Sequence, residues 1–123
     1  MCPLHVKLAH PLLIPFYTCL NECFQVVVSG KKGLDAFPGT DLEDKLKANG
    51  IETIALAGFL TNCCVESTMR TACEKGFNVV TLTDCCAALS QEGQKAATEG
   101  TFGLFSTPMS ASDFKAKLTP AAE

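Results

Sequence analysis

Tryptophan is absent from this chain, tyrosine occurs once and histidine twice. No stretch of about 18 consecutive apolar residues occurs either, which excludes a membrane-spanning helix. Basic residues are not in excess: ten Lys and Arg face thirteen Asp and Glu, for a net charge of -3. A nucleic-acid binder needs the opposite balance, so no nucleic-acid partner is expected. Cys-x-x-Cys spacing is missing, and His5 and His10 both sit near the N-terminus. That leaves no tetrahedral zinc pattern, and no metal or other cofactor is expected. Gly30-Lys31-Lys32-Gly33 lacks the spacing of a phosphate-binding P-loop. Lys7 precedes an apolar stretch, but Pro11 and Pro15 interrupt it and no A-x-A-like cleavage site follows, so it does not read as a secretory signal.

What is present is a chain of 123 residues, 47% hydrophobic and 19% charged, which suits one globular domain. Eight cysteines include two adjacent pairs, Cys63-Cys64 and Cys85-Cys86. Without regular disulfide spacing they read as small apolar residues of a reducing compartment, leaving room for one reactive thiol. A cytoplasmic location is expected. Residues 1–24 carry Pro3, Pro11 and Pro15 and show no clean helix or strand period.

From Gln25 the pattern alternates. Gln25–Ser29 reads as a β-branched strand stopped by Gly30. Thr40 to Glu43 has the form of a capping box, with Leu42 and Leu46 on one helix face and Asn49-Gly50 as the stop. Thr53–Ala57 is the next strand. Asn62 is placed to cap a helix with Val65, Met69, Ala72 and Cys73 along one side. Asn78–Thr83 is a third strand, Ser90 caps a helix to about Gly100, and Leu104–Ser106 is a fourth strand. Ser110 to Asp113 opens a last helix with Phe114 and Leu118 on one face. The strand centres Val27, Ile54, Val80 and Phe105 lie 25 to 27 residues apart, the spacing of βαβ units. The expected fold is therefore α/β, a three-layer α/β/α arrangement around a parallel, Rossmann-like sheet. Sites in such sheets lie at the carboxyl ends of strands.

The segment GFLTNCCVESTMRTA runs from a strand end into a helix start. Unpaired N–H groups and the positive end of the helix dipole favour a thiolate there. Either Cys63 or Cys64 answers that description, and a thiolate at such an elbow suits attack on a carbonyl. Cys85, Cys86 and Cys73 read as packing or wall residues, and Asp84 as a strand-end residue orienting the loop after it.

The stretch LAGFLTNCCVESTMRTACEKGFNVVTLTDCCAA resembles the isochorismatase-like cysteine hydrolases, through Thr61, Cys64 and Val65 of a T-x-x-C-V motif. Upstream, Lys31, Asp35, Ala36 and Phe37 resemble that family's K-x-x-x-[SD]-A-F block, with Lys32 as the neighbouring alternative. The resemblance covers about residues 25–112. It implies Cys64 as nucleophile and Lys31 as catalytic lysine. It also implies a cis peptide at Phe59-Leu60, with the N–H groups of Leu60 and Cys64 as oxyanion donors. The implied reaction is hydrolysis of a small amide- or ureide-type substrate through a Cys thioester, in a homo-oligomer with no membrane partner. The family's catalytic Asp, in an ALLVIDxQ-like block, has no match, since no Asp precedes Asp35. Residues 1–24 thus read as a non-family segment and 25–123 as a partial hydrolase domain missing its first strand or strands. Two readings follow: a cysteine hydrolase weakened or silenced by the missing Asp, or a catalytically dead homologue acting as a binding or oligomerisation module.

Overall fold

The computed structural model describes residues 28–118. Residues 1–24 and most of the expected strand at 25–29 lie outside them. Val28 and Ser29 are not in a strand and lead into the turn at Gly30. The described chain forms helix α1 (Leu42–Ala48), strand β1 (Thr53–Phe59), a π-helical turn (Thr61–Val65) and helix α2 (Glu66–Glu74). Strand β2 (Asn78–Ala87) and helix α3 (Gln91–Lys95) follow, then a π-helical segment (Ala96–Thr101) and helix α4 (Phe102–Phe105). Strand β3 (Thr107–Met109) and helix α5 (Ala111–Leu118) complete it.

The three strands form one parallel sheet in the order β1-β2-β3. This is the expected α/β architecture, with helices carrying the chain between parallel strands. β1 opposite β2 runs in register from Thr53↔Asn78 to Leu56↔Thr81, and then the register slips, so that Gly58 pairs with Cys86 and Phe59 with Ala87. Gly58 has φ 136°, a conformation side-chain-bearing residues avoid, so this position suits glycine. β2 accordingly extends past its expected end at Thr83 and carries Asp84, Cys85 and Cys86 along the end of β1.

The core draws on every layer. Leu42 and Leu46, four apart on α1, are buried with Ile51, Ile54 and Leu56 of the β1 region. Val65, Met69 and Ala72 are fully buried along one side of α2 and the turn before it, while Cys73 is half-buried against the same core. Phe37 stacks on Phe77 with ring centroids 6.1 Å apart. Arg70 reaches from α2 over the ring of Phe105, 4.5 Å from its centroid, and pairs with Glu66 at 2.9 Å.

Three local expectations change. Thr40 is not in a capping box: its hydroxyl donates toward the carbonyls of Ala36 (2.6 Å) and Phe37 (3.0 Å) and accepts the Leu42 N–H (3.3 Å). Glu43 instead binds Lys47 at 2.7 Å and Lys75 at the end of α2, a tertiary pairing that outweighs the local cap. Asn62 does not cap α2, because the chain enters the helix through the π-helical turn, with Asn62 at φ -90°, ψ 16° inside it. The strand expected at Leu104–Ser106 lies instead at Thr107–Met109. Phe102 is fully buried and Leu104 is 78% exposed, so helical burial keeps residues 102–105 in α4 and delays the strand. Two caps appear as expected: Ser90 accepts the Gly93 N–H (3.0 Å), and Ser110 accepts the Asp113 N–H (3.1 Å).

Candidate active site

The carboxyl end of β1 runs into the site. The peptide bond between Phe59 and Leu60 is cis. Phe59 is 46% exposed, whereas Thr61 is fully buried. The Leu60 carbonyl accepts the N–H of Cys63 and of Val65, both at 3.2 Å, stepping past Cys64. This wide turn presents Cys63 and Cys64 half-buried at the strand end, ahead of α2 rather than in its first turn. Phe59, Leu60 and Cys64 are thus brought together by a single strand-to-helix connection.

The segment that carries Lys31 is held by its own contacts. Gly30 begins its segment at φ 88°, and a Cβ there would lie 2.6 Å from the Gly39 carbonyl oxygen, so the turn closes only around glycine. The Lys31 ammonium donates to the Gly33 carbonyl at 2.6 Å. Asp35 then folds back, its Oδ1 accepting the Phe37 N–H (2.9 Å) and its Oδ2 accepting the Thr71 hydroxyl. Ala36 donates its N–H to the Thr68 hydroxyl at 3.1 Å in a buried setting. Thr68 and Thr71 stand on α2, so the segment holding Lys31 is fastened to the helix that continues the Cys64 turn. Lys32 is exposed. Among the described residues, no carboxylate is hydrogen-bonded to the Cys64 thiol and no ion pair joins Lys31 to it.

The carboxyl end of β2 lies beside that of β1. Desolvation pushes the Cys85 thiol up, with the Asp84 carboxylate beside it adding to the effect. Burial pushes Cys86 up, opposed by the backbone of Gly58. Both are thereby held as neutral thiols and are poor nucleophiles at neutral pH. Asp84 reaches across to α5 and accepts the Ala111 N–H at 2.8 Å. Among the described residues, no three His, Cys, Asp or Glu side chains are grouped to hold a metal ion, and no helix is long and apolar enough to cross a membrane.

Sequence reasoning passed over Thr68, Thr71 and Gln94, and gave Asp35 no contact. The Thr61 hydroxyl donates to Gln94 Oε1 at 2.6 Å, and Gln94 Nε2 donates to the Cys86 carbonyl at 3.2 Å. A buried hydroxyl in a strand-to-helix turn is the signal that asks for such a partner, but it does not say which residue supplies it.

Comparison with known proteins places this geometry. The Isochorismatase domain profile matches residues 15–113. An uncharacterised isochorismatase family protein of Escherichia coli, YecD, is 53% identical over 62 residues, covering 50% of this chain and 33% of that protein. Nicotinamidase 3 of Arabidopsis thaliana is 36% identical over 66 residues, covering 54% and 33%. The structure of an isochorismatase family protein from Burkholderia thailandensis superposes with a TM-score of 0.75 at 39% identity, covering 77% of this chain and 50% of that one. The chain therefore spans half or less of the length of these relatives. With its parallel sheet, its T-x-x-C-V turn and a profile match over most of its length, this chain belongs to the isochorismatase family.

Proposed function

We propose that the chain is a cysteine hydrolase of the amidohydrolase type, acting on a small amide- or ureide-type molecule. The observation that carries this reading is the placement of Cys64. Its turn sits at the carboxyl end of β1, and the Lys31 segment is fastened to the helix that follows. Two relatives support the substrate class by name, a nicotinamidase and a ureidoacrylate amidohydrolase. In the proposed step the Cys64 thiolate adds to the carbonyl carbon and the C–N bond breaks. The leaving nitrogen takes a proton, and water then releases the acid from the Cys64 thioester. Lys31 supports the charge on the thiolate, and the N–H groups of Leu60 and Cys64 face the developing oxyanion. The working form we propose is a cytoplasmic homo-oligomer.

One observation favours a second reading. The step needs a proton donor and a base for water, and among the described residues no carboxylate is hydrogen-bonded to Cys64. Catalytic groups act as a unit, so loss of one removes most of the rate. On that reading the chain is a homologue without turnover that serves as a binding or oligomerisation module. One experiment separates the two. Ammonia release is followed with nicotinamide, ureidoacrylate and simple primary amides, alongside intact-mass analysis of the protein. Slow turnover, or a hydroxylamine-labile acyl adduct, that disappears in Cys64→Ser supports the hydrolase. Neither turnover nor adduct with any of these amides points to the module.

A further inference from the structure

We infer that Gln94 is a positioning residue for the nucleophile turn, an inference that rests on Cys64 being the reactive thiol. Thr61 opens the turn, three residues before Cys64, and is completely buried. A hydroxyl without access to water needs a protein partner, and Gln94 Oε1 accepts its hydrogen at 2.6 Å. The same amide is anchored at its other end, because its Nε2 donates to the Cys86 carbonyl at 3.2 Å and lies 3.5 Å from that of Thr83. Cys86 is the residue that β2 sets opposite Gly58 after the register slip. One side chain thus ties the start of the Cys64 turn to the end of the neighbouring strand.

The helix bearing Gln94 is shaped for this approach. Ser90 caps α3 by accepting the Gly93 N–H, which fixes where the next residue points. Gly93 lies against the turn itself: a Cβ there would come within 3.2 Å of the Asn62 side-chain nitrogen and 3.3 Å of the Ser90 hydroxyl. The adjacent pair Gly93-Gln94 therefore contacts Asn62 by close packing and Thr61 by a hydrogen bond. A glutamine serves here because it accepts at one atom and donates at the other. Glutamate would accept from Thr61 but would set a second oxygen against two carbonyls, and methionine would do neither.

The test uses the whole chain and iodoacetamide, with labelling rates read per thiol from fragment ions that separate Cys63 from Cys64. Wild type is compared with Gln94→Met, Thr61→Val, the double variant and Thr61→Ser. Gln94→Met and Thr61→Val are each expected to slow Cys64 labelling by about tenfold, the scale of losing one buried hydrogen bond. The double variant is expected to be no slower than either single one, since both remove the same contact. Thr61→Ser, which keeps the hydroxyl, is expected to restore most of the rate, and Cys73 labelling to stay constant throughout. Cys64 rates unchanged in both Gln94→Met and Thr61→Val overturn the inference while leaving Cys64 as the reactive thiol. A parallel rise in Cys73 labelling in both variants also overturns it, because the contact then serves stability alone. Cys64 labelling no faster than Cys73 in wild type overturns the proposed nucleophile, and this inference with it.

Discussion

Replacing Thr68 with valine keeps the shape of the side chain and removes one acceptor. In the native fold Thr68 and Ala36 are both essentially inaccessible to solvent, and the Ala36 N–H donates to the Thr68 hydroxyl at 3.1 Å. In Thr68→Val that N–H is left buried without a partner, which costs about 1–3 kcal/mol. At a typical urea slope this is a fall of roughly 1 M in the unfolding midpoint. Thr71→Val removes the hydroxyl on Asp35, but that site is half-buried and Asp35 keeps the Phe37 N–H. Water can replace part of the loss, so the expected cost is smaller, about 0.5–1.5 kcal/mol. The local readout is hydrogen exchange. The Ala36 amide is expected to exchange about 10- to 100-fold faster in Thr68→Val, with the rest of the Lys31 segment following it and the β1 amides least affected. Ala36 exchange unchanged in Thr68→Val, or Thr71→Val the more damaging of the two, would refute the view that this bond holds the segment on α2.

Two further outcomes are expected. Phe102 is fully buried in the core, so Phe102→Ala is expected to lose about 3–5 kcal/mol in denaturant unfolding, and a loss under about 1 kcal/mol would show that α4 does not seal the core. The Lys47 and Lys75 ammonium groups hold the Glu43 carboxyl below the usual carboxylate range, so its contribution is present above about pH 4.3 and is lost as pH falls through its lower folded value. The gap in urea midpoint between wild type and Glu43→Gln is therefore expected to be constant near neutrality and to close toward pH 3, and a gap independent of pH would remove Glu43 from the account.

How much of this was readable from residue order depends on the range of the interaction. Leu42 and Leu46 announce α1 because burial repeats along one helix face, and Val65, Met69 and Ala72 do the same for α2. The caps at Ser90 and Ser110 are local hydrogen bonds and were legible for that reason. Thr40 has the same local form, but the carbonyls of Ala36 and Phe37 take its hydroxyl, and Glu43 is drawn away by Lys75 from a distant helix. The strand at 107–109 was misplaced because Phe105 carries strand propensity, while the burial of Phe102 favours helix. The Cys64 turn was legible through its motif. The contacts around it, Asp35 to Thr71, Ala36 to Thr68 and Thr61 to Gln94, join residues 32 to 36 positions apart and leave no periodic trace.

The fastening of residues 35 and 36 to α2 has a mechanical consequence. Both the thiol turn and the lysine segment take their position from one rod, the first by chain continuity and the second through two hydroxyls one helical turn apart. A displacement of α2 would therefore be felt by both segments, since each is joined to it. The turn is also held to the sheet, by continuity with β1 and by Gln94, which joins Thr61 to the Cys86 carbonyl, so the turn and the rim formed by Asp84, Cys85 and Cys86 are coupled as well.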